Sequence, residues 1–129
     1  MKSVVLCGSI RFKQGMHTFA DELEKLGAMV YIPDFYSLDE DWENLTETQR
    51  KHAALALTHE HFYKMRMADV VFIYNEGGYL GNSTTMEVGY AVALGKPIYM
   101  LAEDEDEICR SVLCRGLHKT PKELFDRLR

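Results

Sequence analysis

Apolar positions along this chain follow two alternating patterns, short continuous runs and helical stripes. Ser3–Cys7 is an apolar run closed by Gly8-Ser9, as in a strand buried on both faces. Phe12, Met16, Phe19, Ala20, Leu23 and Leu26 then recur at helical spacing, with Gly27 placed to end the helix. Met29–Ile32 is a second short strand, closed by Pro33-Asp34, so the opening reads as a βαβ unit with parallel strands. The spacing predicts a second helix from about Glu47 to Met67, its stripe formed by Ala54, Leu57, Phe62, Met65 and Ala68 with His61 inside it. Val70–Tyr74 is a third strand, Asn75–Ser83 a glycine-rich loop, Thr84–Leu94 a helix, Gly95-Lys96-Pro97 a turn and Ile98–Leu101 a fourth strand. Ile108–Leu117 can hold a short helix or a fifth strand, and Thr120-Pro121-Lys122-Glu123 opens a last helix reaching about Leu128. This alternation predicts one α/β domain over residues 1–129, doubly wound, with a four- or five-stranded parallel sheet.

Asp34–Glu47 departs from the pattern. Its fourteen residues are polar and acidic, carry Phe35, Tyr36 and Trp42, and exceed what a connection needs, which suggests a functional loop or lid.

Composition narrows the function classes. Apolar residues make up 47% and charged residues 27% of the chain, an ordinary globular mixture. The net charge of −5 and the scattered lysines and arginines argue against a nucleic-acid polymer, while a small anion in a local positive pocket stays compatible. The apolar run at the N-terminus is too short for a signal-peptide core, and no later run approaches a membrane span. Cys7, Cys109 and Cys114 cannot all pair within the chain, so reduced thiols and a cytoplasmic location are expected. Cys7, inside an apolar strand, reads as a small core residue.

In doubly wound sheets ligands bind beyond the carboxyl ends of the strands, near the switch in strand order. That rule selects Gly8–Phe12, Asp34–Tyr36 and Asn75–Ser83. In Gly8-Ser9-Ile10-Arg11 a glycine, a hydroxyl, a cation and the free N–H groups of a helix start together suit a phosphate or carboxylate. The same segment also fits a tight turn with a solvated arginine, and it is neither a P-loop nor G-x-G-x-x-G. Thr84-Thr85-Met86-Glu87 fits a capping box, so on local pattern alone Glu87 is better read as bonding back to its helix start. Its other reading is a carboxylate in the first helical turn, kept ionised by the helix dipole and able to attack a sugar carbon. His59-Glu60-His61 is a poor metal clasp, because residues two apart point to different sides of a helix; no metal or cofactor is expected. The acidic run Glu103–Glu107 reads as a solvated loop.

Leu6-Cys7-Gly8-Ser9-Ile10-Arg11, Ala68-Asp69-Val70-Val71 and Met86-Glu87-Val88-Gly89-Tyr90-Ala91 with Gly95-Lys96-Pro97, in that order, resemble the nucleoside 2-deoxyribosyltransferase family. The Cys-Gly-Ser-Ile-Arg start resembles in particular its 2′-deoxynucleoside 5′-phosphate N-hydrolase branch. The resemblance implies a Rossmann-like, flavodoxin-like three-layer fold and cleavage of an N-glycosidic bond, with Glu87 as nucleophile and Ser9 and Arg11 on a 5′-phosphate. It also implies a homodimer or higher homo-oligomer whose neighbouring subunit helps close the site. Where the family carries a catalytic aspartate, eight residues before Asp69, this chain has His61. The loop before the nucleophile has Gly81, Asn82 and Ser83 where transferases often carry an aspartate.

The expected function is therefore cleavage of a (deoxy)nucleoside or its 5′-phosphate through a glycosyl-enzyme on Glu87, with His61 assisting and water or a second base as acceptor. The substrate would lie against Gly8, Ser9, Ile10, Arg11, Gly81, Asn82 and Ser83, with Tyr36, Trp42 or Tyr79 stacking on the base. The rival expectation is a non-catalytic nucleotide-binding or sensing domain on the same fold.

Overall fold

The computed structural model describes residues 1–35 and 42–129. Its sheet is formed by β1 (Val4–Cys7), β2 (Val30–Tyr31), β3 (Val70–Ile73) and β4 (Ile98–Met100). All pairings are parallel and the order is β2-β1-β3-β4, so the chain steps outward from β1 to β2 and then crosses to the other side of β1. The switch in strand order thus lies between β1 and β3.

Strand alternation divides the core into two layers. Val4 and Leu6 of β1 and Val70 and Phe72 of β3 face α1 (Lys13–Leu26) and the C-terminal helix, where Phe19, Leu23, Leu124 and Leu128 cover them. Val5, Cys7, Val71 and Ile73 face the opposite way, onto Met65 and Ala68 from the end of α2 (Glu47–Met67) and Val88 and Ala91 of α3 (Asn82–Ala93). The result is the three-layer α/β fold that the alternating pattern predicts. Among the described residues no helix is long and apolar enough to cross a membrane.

Several boundaries differ from the sequence reading. The helix α3 begins at Asn82 with Gly81 as its N-cap, two residues before the predicted Thr84. The apolar stripe of α2 is buried only toward its end: His61 and Met65 are buried, while Ala54 is exposed. The segment after β4 makes a short helix α4 (Ile108–Ser111) and one parallel bridge, Met100 to Leu117, so the fifth strand is reduced to a single residue pair. The last helix, α5 (Pro121–Leu128), starts as predicted, with the Glu123 amide donating to Thr120 Oγ1. Most of the Asp34–Glu47 segment lies outside the described residues; Trp42–Asn44 forms a 3-10 turn ahead of α2.

Two family-like motifs serve the scaffold, at the end of the sheet away from the switch-point loops. Asp69 Oδ2 accepts from the Ser3 amide (2.8 Å), and Ser3 Oγ accepts from the Asp69 amide (3.1 Å), a reciprocal pair that sets the register of β1 on β3. Lys96 Nζ donates to the Arg66 and Ala68 carbonyls at 3.1 and 2.6 Å, satisfying the end of α2.

Candidate active site

The strand β1 ends at Cys7, and the chain turns at Gly8. A Cβ there would lie 2.6 Å from Met16 Cε and 2.8 Å from the Tyr74 carbonyl oxygen. Gly8 is therefore demanded by the packing of α1 and β3 around the turn, a role separate from ligand approach. Ser9 caps the 3-10 turn Ile10–Phe12, its Oγ accepting from the Arg11 amide at 3.3 Å. Arg11 is exposed, and its guanidinium lies 3.7 Å from the centroid of the Tyr79 ring. Phe12 meets the same ring edge-on at 6.1 Å, so the loops after β1 and β3 are joined through Tyr79.

Asn75 opens the second loop and is fully buried. Its Oδ1 accepts from the Leu101 and Ala102 amides and its Nδ2 donates to the Ala102 carbonyl, which ties the ends of β3 and β4 together. Gly78 has φ +86°, and a Cβ on it would lie 2.5 Å from the Glu103 carbonyl oxygen. Gly78→Ala is expected to cost about 1–3 kcal/mol in urea unfolding, through the left-handed backbone and the clash together. An unfolding midpoint equal to the parent's would contradict this account of the loop.

Because α3 starts at Asn82, Glu87 is its sixth residue and lies in the second turn. The capping-box reading is thus overturned: the N-cap is Gly81, with no side-chain cap bond, and Glu87 has no part in it. Glu87 turns instead into the layer between α2, α3 and β1. Its Oε1 is 3.6 Å from His61 Nε2, and that nitrogen is 3.2 Å from Cys7 Sγ. Cys7 is fully buried, and the His61 and Glu87 side chains are 7% and 15% exposed.

Burial decides the charges. It pushes Glu87 up to about 7, against a smaller opposing effect of the hydrogen bond from Cys7. It pulls His61 down to about 4, with the charge of Lys64 adding to the effect. Burial first, and then the charge of Glu87, raise the Cys7 thiol well above its ordinary range. A separation of 3.6 Å would favour an ion pair between His61 and Glu87, but desolvation of both groups outweighs it. The expectation that the helix dipole keeps Glu87 ionised is thus corrected: the second turn is too far along the helix, and the site too dry. Near pH 7 the cluster holds a neutral imidazole, a thiol and a carboxyl group close to half ionised. Among the described residues His61 Nδ1 is buried without a partner, as is Thr84 Oγ1.

Of the other sequence candidates, Asn82 and Ser83 are exposed at the start of α3, and Ile10 is exposed beside Arg11. Gly81 lies under Tyr79, whose hydroxyl would be 3.4 Å from an added Cβ. Trp42 is engaged by Arg50, which donates to its carbonyl at 2.9 Å and stands 5.7 Å from its ring centroid. Tyr36 lies outside the described residues. The segment after β2 borders a cleft of about 410 Å³ whose walls include His17, Ile32, Phe35 and Lys64. His59 is exposed and takes no part in the cluster.

Two side-chain contacts are not legible in the sequence. Cys7 is the small core residue that its strand predicts, and it also touches His61, on the same sheet face as Val5. Asp104, inside the acidic run, is buried by a bidentate pair with Arg110, Nε to Oδ2 at 2.5 Å and Nη2 to Oδ1 at 2.8 Å. Arg110 Nη1 also donates to Thr85 Oγ1 at 2.9 Å, which holds the first turns of α3 against the C-terminal segment.

Comparison with known proteins agrees with this fold and gives its family. The family model for nucleoside 2-deoxyribosyltransferase matches residues 4–127. No curated protein sequence matches significantly. Among solved structures, the 2-deoxyribosyltransferase of the psychrotolerant bacterium Bacillus psychrosaccharolyticus is similar, with TM-score 0.65 and 17% identity over 96% of this chain and 90% of that one. A conserved protein from Enterococcus faecalis V583 is similar at TM-score 0.65 and 16% identity, over 99% of this chain and 97% of that one. At such identities the structures speak for the fold, and the match over residues 4–127 carries the assignment. The chain belongs to the nucleoside 2-deoxyribosyltransferase family.

Proposed function

We propose that this protein cleaves the N-glycosidic bond of a (deoxy)nucleoside or its 5′-phosphate, with Glu87 as the nucleophile. The observation that carries the reading is the Glu87 carboxylate, free of any capping role and held in a dry layer against Cys7 and His61 beside the switch point of the sheet. A carboxylate stripped of water is a stronger nucleophile than one in solution.

In the first step a Glu87 oxygen bonds to C1′ as the bond from C1′ to the base nitrogen breaks. The base leaves with the electron pair and takes a proton from solvent. In the second step water, or the nitrogen of another base, attacks C1′ and gives up its proton to solvent, and the Glu87 oxygen leaves as carboxylate. His61 Nε2 stands 3.6 Å from the carboxylate, outside hydrogen-bond distance, and packs against it. That contact orients the carboxylate. A neutral histidine is poorly suited to act as the acid for the leaving base, since its pKa is drawn down to about 4.

Arg11 and Ser9 are the proposed ligands of a 5′-phosphate. Arg11 stacks on Tyr79 and is exposed, so its guanidinium keeps donors for an anion without leaving the ring. Tyr79 then serves as an anchor for Arg11, and base stacking falls to the aromatic residues of the segment after β2. A cytoplasmic homodimer is the proposed setting.

The test is chromatography of free base after incubating the protein with a panel of nucleosides and deoxynucleoside 5′-phosphates. Release by the parent and none by Glu87→Ala is the expected result. Equal release by both proteins, or none by the parent across the panel, would contradict the reading.

A further inference from the structure

The same three side chains have the makings of a metal site. One sulfur, one nitrogen and one oxygen, from Cys7, His61 and Glu87, all lie within 4.8 Å of one another. In a tetrahedral site, bonds of about 2.3 Å to sulfur and about 2.0–2.1 Å to nitrogen and oxygen separate S from N by about 3.6 Å and N from O by about 3.4 Å. The corresponding distances here are 3.2 and 3.6 Å, each within a few tenths of an ångström of that geometry. The ligands come from β1, α2 and α3, all parts of the packed core, so the site needs little ordering to form.

We propose that Cys7, His61 and Glu87 form a zinc-binding site, with the carboxylate oxygen of the proposed nucleophile as one ligand. The donor set selects the ion. A thiolate with an imidazole and one carboxylate suits Zn²⁺, whereas Mg²⁺ and Ca²⁺ need shells of oxygen. Three protein ligands leave a fourth position for water. The sequence reading set metal aside because His59 and His61 diverge on their helix; the fold supplies different partners for His61.

Binding releases the thiol proton of Cys7 and any proton on Glu87, and His61 offers the Nε2 lone pair with its own proton on Nδ1. Among the described residues Nδ1 has no acceptor. Ligating histidines ordinarily donate there, so the expected affinity is about 10–100-fold below that of a site with such a partner. If Glu87 is the nucleophile, bound Zn²⁺ takes its attacking oxygen, and base release falls until a chelator removes the ion. That consequence rests on the proposed function, whereas the binding does not.

Co²⁺ is the probe. Chelator-stripped protein titrated with Co²⁺ should develop a near-ultraviolet thiolate-to-cobalt band and intense visible bands, saturating at one equivalent and abolished by Zn²⁺. Cys7→Ser should remove the thiolate band with its far-ultraviolet dichroism unchanged, and Glu87→Gln should weaken binding at least tenfold while keeping it. Cys109→Ser and Cys114→Ser should leave the spectrum intact. Absence of the band in the parent, or its persistence in Cys7→Ser, would overturn the proposal. A protein that binds Co²⁺ in this way but releases no base from any substrate would keep the metal site and lose the proposed activity.

Discussion

Replacing Glu87 with glutamine is expected to abolish base release and, at the same time, to stabilise the protein at pH 8. The two effects have one cause. Folding moves the Glu87 carboxyl from an ordinary 4.5 up to about 7 because its charged form is stripped of water. The folded state therefore holds this proton more tightly than the unfolded chain. Its contribution to stability is fully present below pH 4.5 and is lost as the pH rises through about 7. At about 1.4 kcal/mol per pH unit, the loss approaches about 3 kcal/mol. Glutamine has the same shape and no charge to desolvate, so Glu87→Gln should gain on the parent between pH 5 and 8 and match it near pH 4. It cannot form the ester, and base release should fall on the order of 10⁴-fold. In chelator-treated parent, release should rise with pH through about 7, as the attacking carboxylate is populated. Urea unfolding of the two proteins across pH 4–8 checks the stability half. A difference that stays constant with pH, or a parent that gains on the variant at pH 8, would contradict the account of the site. Such a trade of stability for a reactive group is common at active sites.

Arg110→Ala is expected to lower the unfolding free energy by about 3 kcal/mol. The side chain of Asp104 is fully buried, and that of Arg110 is 12% exposed. The two hydrogen bonds from Arg110 hold the Asp104 carboxyl below its usual range. Removing the arginine leaves a buried carboxylate without its partner, which costs far more than the intact pair contributes. Replacing both at once, as Asp104→Leu with Arg110→Met, should recover most of the loss, because no charge is then buried alone. The hydrogen bond from Arg110 to Thr85 would vanish in either variant, so α3 loses a tie two residues before Glu87 and base release should fall severalfold in both. Urea unfolding of the three proteins separates these terms. A single variant as stable as the parent would contradict the role given to the pair.

The apolar patterns were sufficient for the scaffold. They located each strand to within about a residue at either end and gave the limits of the long helix α2 as Glu47–Met67. They erred where a side chain answers to distant partners. Thr84-x-x-Glu87 has the spacing of a capping box, but Gly81 already occupies the cap, and only the tertiary position of α3 reveals it. Asp104 looked solvated because its neighbours are acidic; the arginine that buries it is six residues away on the far side of a turn. Cys7 is the core residue that its strand predicts, but its contact with His61 is set by a neighbouring helix that the strand pattern does not place. Asp69 and Lys96 belong to the motifs that carried the resemblance, and they turn out to fix strand register and a helix end. Glu87 and His61 could be read together only through that resemblance, since 26 residues separate them and no local spacing predicts their 3.6 Å approach.

The proposed reaction turns on a covalent bond between Glu87 and C1′ of the substrate. It is tested most directly by intact-protein mass spectrometry of chelator-treated enzyme, acid-quenched during turnover of a deoxynucleoside 5′-phosphate from which it releases base. A mass increase equal to one deoxyribosyl phosphate is expected, mapped by proteolysis to the peptide containing Glu87 and absent in Glu87→Gln. Steady base release with no adduct at any quench time, or an adduct on another residue, would contradict it.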